Sequence, residues 1–141
     1  MIGAIQRRRR TARFFLAFYA VPALLLACSE PEPGSIRSVS QQEIAESLES
    51  GQGPLLLDVR TKREFVSGHL PGAQHVPVGD LSERLDEVRA ASQEREVVVY
   101  CERGGRAMKA GQVLLEAGFP EIGHLQGDMA AWRSQDLPIE R

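Results

Sequence analysis

A short glycine-rich segment between a predicted strand and a predicted helix constrains this chain more than any other feature. The apolar run Val97–Tyr100 has the pattern of a strand that is covered on both faces. Small and aliphatic residues then recur at helical spacing from 106 to 117, and Gly118 provides a C-terminal stop. Residues 101–106 must therefore turn the chain tightly, and a pair of glycines within them permits backbone angles that other residues resist.

This turn places a thiol where an anion is favoured. Its main-chain N–H groups point into one hollow, and the positive end of the helix dipole lies beside them. Arg103 and Arg106 add two guanidinium groups, while Glu102 opposes the field. The arrangement favours the thiolate of Cys101, which is the form that attacks as a nucleophile. A buried, inert cysteine is the alternative interpretation.

The loop, with its strand and helix, resembles the active site of the single-domain rhodaneses, a family of thiosulfate and persulfide sulfurtransferases. Two further segments agree with this resemblance: LDVRTKREF with GHLPGA at 57–73, and the stretch from Gly118 to Trp132. The resemblance runs from about residue 36 to 140. It departs at Asp128, where the family commonly has a glycine, and at Ala107, where a serine is frequent.

The resemblance implies a three-layer α/β fold, with a five-stranded, mainly parallel sheet and helices on both faces. Alternating predicted strands and helices favour the same class. The cysteine loop would then lie at the carboxyl end of a central strand, where open α/β sheets bind their ligands. Asp58 and Arg60 end another strand at this edge and are expected to support the loop. Arg60 is predicted to pair with Glu64.

Strands are predicted at 36–39, 55–59, 74–78, 97–100 and 122–125. The helices between them have start signals. Ser40 and Thr61 are each followed three residues later by a glutamate, which is the capping-box spacing. Asp80 is predicted to cap a helix over residues 81–91.

As a rhodanese-like enzyme, the protein would transfer sulfur through Cys101. The resemblance implies attack on the sulfane sulfur of thiosulfate or a persulfide, and transfer to a thiol or to cyanide. The expected substrate-binding residues form the rest of the loop: Glu102, Arg103, Gly104, Gly105 and Arg106. No cofactor is expected. No metal is expected either, because the three histidines lack the spacing of a zinc site.

Two other function classes stay open. The first is a tethered module that holds a persulfide or an anion without turnover. The residues that favour this alternative are Glu102, Ala107 and Asp128. A phosphatase-like or arsenate-reducing enzyme is the second. Phosphatases with a cysteine loop place their arginine six positions after the cysteine, whereas here Arg106 is at position five. By resemblance, this count favours sulfur transfer.

The first 27 residues are predicted to be a lipoprotein-type signal peptide. Five arginines precede an apolar run at 14–27, which is shorter than the roughly 20 residues that a membrane-spanning helix needs. The sequence LLAC at 25–28 resembles a bacterial lipobox, which implies cleavage before Cys28 and a lipid on its sulfur. An uncleaved anchor and ordinary cleavage that leaves Cys28 free are the alternatives.

The predicted organisation is a signal peptide at 1–27, a tether at 28–35 and one rhodanese-like domain at 36–141. Loss of residues 1–27 removes five arginines and no acidic residue, so the formal net charge falls from −2 to −7. Such an acidic surface disfavours nucleic acid as a partner. The expected partners are a small sulfur donor, a thiol acceptor and the membrane. We expect a monomer that faces the bacterial periplasm, and Ser29 points to the outer membrane.

Overall fold

The computed structural model describes residues 34–141. The predicted signal peptide at 1–27, Cys28, Ser29 and most of the predicted tether lie outside these residues. From residue 34 onward, no helix is both long and apolar enough to cross a bilayer.

Five strands form one sheet in the order β1-β5-β4-β2-β3, and every neighbouring pair is parallel. The strands are β1 (Ile36–Val39), β2 (Leu55–Asp58), β3 (Gln74–His75), β4 (Val97–Tyr100) and β5 (Ile122–Leu125). The helices of the described chain are α1 (Gln41–Ser50), α2 (Lys62–Ser67), α3 (Leu85–Ser92), α4 (Gly105–Glu116) and α5 (Asp128–Ser134). The predicted three-layer fold class is confirmed.

Two hydrophobic cores cover the two faces of the sheet. Every residue of β2 and β4 is buried, which explains why both strands have continuous apolar runs rather than alternating patterns. Successive side chains still point to opposite faces. Val97 and Val99 pack into a core that includes residues of α3 and α4, whereas Val98 and Tyr100 pack into a core that includes residues of α1 and α5.

The register of the sheet brings the ends of its central strands together. Asp58, the last residue of β2, lies opposite Tyr100, the last residue of β4. The Val59 N–H continues the pairing by donating to the Tyr100 carbonyl at 3.1 Å. The segments that follow these strands, beginning at Arg60 and Cys101, therefore emerge side by side at one edge of the sheet.

Two predicted elements differ from the structure by more than one residue. The third strand ends at His75 instead of residue 78, in keeping with Pro77, which has no N–H to donate to a ladder. Asp80 makes no cap hydrogen bond, because its backbone (φ −98°, ψ −8°) is helical rather than extended. The chain instead forms a 3₁₀ turn at Leu81–Glu83 before α3 begins at Leu85.

The other two predicted caps have extended backbones and are present. Thr61 and Glu64 form both halves of a capping box at the start of α2. Ser40 accepts a hydrogen bond from the Glu43 N–H at 3.1 Å at the start of α1. The Glu43 carboxylate binds Arg37 across the surface at 2.7 Å.

Candidate active site

The thiol of Cys101 lies in the loop that joins β4 to α4. Cys101 is buried, it is the only cysteine in residues 34–141, and it forms no disulfide within them. The Gly104 N–H donates to its sulfur, with a nitrogen-to-sulfur distance of 3.1 Å. Gly104 has a φ of +97°, a backbone conformation that favours glycine. The loop therefore aims a main-chain donor at the sulfur, and α4 begins at Gly105, one residue earlier than predicted.

The start of α5 holds the first two residues of this loop. The Cys101 N–H donates to the Asp128 carboxylate at 2.7 Å. The Cys101 and Glu102 carbonyls accept from the N–H groups of Met129 and Ala130 at 3.1 and 3.3 Å. These contacts connect residues far apart in the sequence and fix the position of Cys101.

Asp128 is a buried residue of the site that the sequence reasoning recorded only as a departure from the family pattern. It is 2% exposed and has a φ of +53°, in the left-handed region that few non-glycine residues adopt. Aspartate tolerates this region better than most residues, which explains how it can occupy a position where glycine is common. Its second carboxylate oxygen lies 3.0 Å from Nε2 of His124.

Arg106 is bound by a carboxylate at the opposite side of the loop. Its two terminal nitrogens donate to both oxygens of Glu64, at 2.6 and 2.7 Å. This pairing raises the pKa of Arg106 above its ordinary value, with a smaller contribution from Cys101. It also lowers the pKa of Glu64 far below its usual range, helped by the cap hydrogen bonds with Thr61.

The predicted pair between Arg60 and Glu64 is wrong. The Arg60 side chain is fully buried and binds Asp58 instead, with Nη2 at 2.6 Å from a carboxylate oxygen. The same nitrogen donates to the Gly68 carbonyl at 2.8 Å. Arg60 turns inward because the neighbouring strand end offers it a buried carboxylate, and this leaves Glu64 free to reach Arg106.

Asp58 and Arg60 thus belong to a buried polar network under the loop. Tyr100 takes part in it: its hydroxyl accepts from the Leu70 N–H at 3.1 Å, and its ring lies 5.8 Å from the Arg60 guanidinium carbon. Burial raises the pKa of Tyr100 well above its ordinary value, and the nearby Asp58 charge adds to this. The network ties the segment after α2 to the end of β4.

The remaining two charged residues of the loop differ in their partners. Glu102 binds Arg133 at 2.7 Å and lies 3.6 Å from Nη1 of Arg60, a buried nitrogen that has no hydrogen-bond partner among the described residues. Arg103 is exposed and has no carboxylate partner within residues 34–141. Arg103 is therefore the arginine of the loop that forms no ion pair in the described chain.

The structure also has surface clefts, which are lined by residues of the 51–54 segment and by Arg95. They lie before the start of β2, at the end of the sheet opposite the thiol. In the part of the chain that the structure describes, no three acidic, histidine or cysteine side chains converge as a metal site requires. The Cys101 thiol, at the other end of the sheet, is the group that could act as a nucleophile.

Comparison with known proteins identifies the family. Residues 40–135 match the profile of the rhodanese-like domain. The chain is 29% identical to a sulfurtransferase of Allochromatium vinosum, over 74% of this chain and 94% of that one. It is 37% identical to thiosulfate sulfurtransferase 16, chloroplastic, of Arabidopsis thaliana, over 62% of this chain and 81% of that one. A rhodanese-related protein from Thermoplasma volcanium has the same fold, with a TM-score of 0.64 at 22% identity over 74% of this chain and 97% of that one. The chain therefore belongs to the family of rhodanese-like domains.

Proposed function

We propose that the protein is a sulfurtransferase that carries sulfane sulfur as a persulfide on Cys101. The observation that supports this most is the hydrogen bond from the Gly104 N–H to the Cys101 sulfur, at the start of α4. A main-chain donor and a helix N-terminus both stabilise negative charge on sulfur. The sulfurtransferase names of the relatives point to the same chemistry.

The proposed reaction has two displacements at sulfur. The Cys101 thiolate attacks the outer sulfur of the donor, and the donor's S–S bond breaks, with its electron pair leaving on sulfite or on a thiolate. An acceptor thiolate then attacks the terminal sulfur of the enzyme persulfide. The electron pair of the breaking bond returns to Cys101, so no external oxidant or cofactor is needed.

The loop would stabilise the charge that moves during these steps. Main-chain N–H groups of residues 102–106 would hold the terminal sulfur, and Arg103 would face the donor. The lipid anchor on Cys28, the periplasmic location and the monomeric state belong to this proposal as predictions from the sequence. With the lipid anchor, the reaction would take place at the surface of a bacterial membrane.

The experiment is mass spectrometry of the protein after incubation with thiosulfate or cysteine persulfide. A Cys28→Ala background leaves Cys101 as the only thiol of the chain. We expect the mass of one added sulfur atom, its loss on addition of cyanide, and catalytic turnover. Cys101→Ala in the same background should show none of these three results. Equal turnover by the two proteins would refute the enzymatic proposal.

A binding module without turnover is the second candidate, because acidic side chains lie close to the loop. Glu102 is part of the loop, and Asp128 is buried against it. Such a module would form the Cys101 persulfide but pass its sulfur to cyanide or thiols at no more than the uncatalysed rate. A phosphatase is disfavoured because the loop arginine is at position five.

A further inference from the structure

The charged groups in and against the cysteine loop balance each other. The set contains as many guanidinium groups as carboxylates: Arg60, Arg103, Arg106 and Arg133 against Asp58, Glu64, Glu102 and Asp128. With His124 counted as neutral, the thiol therefore lies in surroundings without net charge. A loop with two arginines would by itself have suggested a strongly cationic pocket.

Two carboxylates outside the loop are central to this balance. Glu64 binds both terminal nitrogens of Arg106, so the guanidinium that interacts with the Cys101 sulfur is already paired. Asp128 has no guanidinium partner in the described chain. Its carboxylate lies under the loop, 2.7 Å from the Cys101 nitrogen, and a Cβ on Gly104 would be 3.2 Å from its second oxygen.

The possible donors differ in how much charge they bring. Thiosulfate carries two negative charges within one compact anion. Cysteine persulfide carries at most one at its reacting end, and its ammonium and carboxylate groups cancel each other. Coulomb interactions in a partly buried site are stronger than in water, so an uncompensated second charge weakens binding there.

We propose that Glu64 and Asp128 are specificity-determining residues that make the site favour persulfide donors over doubly charged thiosulfate. This assignment rests on the proposed sulfur transfer through Cys101. In the favoured step, the Cys101 thiolate attacks the terminal sulfur of a neutral R–S–SH group. The Sγ–S bond forms, the donor S–S bond breaks, and the thiolate R–S⁻ leaves with the electron pair.

The test compares kcat/KM for thiosulfate and for cysteine persulfide, with cyanide as the acceptor, at pH 8, where an ordinary imidazole is neutral. Glu64→Gln removes a charge but keeps an acceptor for the α2 cap. Asp128→Asn keeps an acceptor for the Cys101 N–H and tolerates the left-handed backbone. Glu87→Gln is the matched control, because Glu87 on α3 forms an exposed ion pair with Arg84, the residue just before that helix.

We expect the wild type to prefer the persulfide. Each of the two site variants should raise the ratio of thiosulfate to persulfide kcat/KM by about tenfold, the effect of roughly one charge-assisted hydrogen bond. The control should leave the ratio unchanged. The increase should shrink in high salt, which screens charge but would not alter a purely structural effect.

A wild type that prefers thiosulfate would overturn the assignment. So would variants that lose activity with both donors equally, since that is the result of a structural role alone. Direct detection of the Cys101 persulfide separates the two proposals. Persulfide that forms with an unchanged donor ratio overturns only the specificity assignment, whereas the absence of persulfide with every donor overturns the sulfur transfer itself.

Discussion

Asp128 combines two features that conflict: a carboxylate that accepts a buried hydrogen bond and a backbone conformation that favours glycine. Asp128 holds the Cys101 N–H, yet it does so from a left-handed backbone with a φ of +53°. A glycine would relieve the backbone but would leave the Cys101 donor without this acceptor. Asp128 therefore adopts a less stable backbone conformation, and its hydrogen bond fixes the position of Cys101.

We predict that Asp128→Ala lowers the free energy of unfolding by about 2–4 kcal/mol. About 1–3 kcal/mol comes from a buried N–H that loses its partner, and about 1 kcal/mol from an alanine in the left-handed region. Urea unfolding measures the loss. Asp128→Gly is the control, because it loses the acceptor without the strain and should be more stable than the alanine variant. An alanine variant as stable as the wild type would contradict this account.

At the scale of elements, one carboxylate joins two helices at the site. Glu64 completes the capping box of α2 through Thr61 and binds Arg106 in the first turn of α4. These residues are 42 positions apart in the sequence, and the parallel sheet brings them together. Loss of this carboxylate should therefore loosen the loop and the helix α2 together.

The Glu64 pair predicts how stability depends on pH. The folded-state pKa of Glu64 is lowered from its ordinary value of 4.5, mainly by Arg106. Its stabilising contribution is therefore complete above pH 4.5 and is lost as the pH falls towards the folded-state pKa. We expect the difference in unfolding free energy between wild type and Glu64→Gln to be largest near neutral pH and to shrink steadily below pH 4.5.

Urea unfolding at constant ionic strength, from pH 7 to the acid limit of folding, measures this difference. Glu46→Gln is the control for the loss of one acidic group, because Glu46 bonds to Gln42 on the exposed face of α1. A difference for Glu64→Gln that does not change across this range would show that the ion pair contributes nothing to stability.

On the scale of the whole molecule, residues 34–141 form an α/β fold around one sheet, and residues 1–27 are predicted to be a signal peptide. All the positive charge of residues 1–27 would leave with the predicted signal peptide, and the remaining protein would be strongly acidic. A domain with this net charge would be repelled by polyanions such as nucleic acids.

We predict that the full-length protein, expressed in a bacterium, is recovered in the membrane fraction with a lipid on Cys28. The arginine cluster, the short apolar run and LLAC at 25–28 are the basis. Cys28→Ala should abolish labelling with a fatty-acid probe and slow removal of the signal peptide, while Cys101→Ala should be labelled normally. Unlipidated wild-type protein with Met1 intact in the cytoplasm would rule out this prediction.

Local patterns in the sequence determined the strands, most helix starts and the place of the nucleophile. Continuous apolar runs, capping residues and paired glycines act over a few neighbouring positions, so β2, β4, the cap of α2 and the Cys101 loop could be predicted. The missing Asp80 cap depends on the backbone angles at one position, which a residue type alone does not specify. The early end of β3 is in keeping with Pro77, which has no N–H for the ladder.

Only the tertiary structure decided which charged groups pair. Glu64 was predicted to bind Arg60, four residues away, but it binds Arg106, because Arg60 turns inward to Asp58. Asp128 reaches Cys101 across 27 positions for the same reason: parallel strands deliver their following segments to one edge of the sheet. Side-chain charge is visible in a sequence, but its compensation depends on distances that exist only after the sheet has formed.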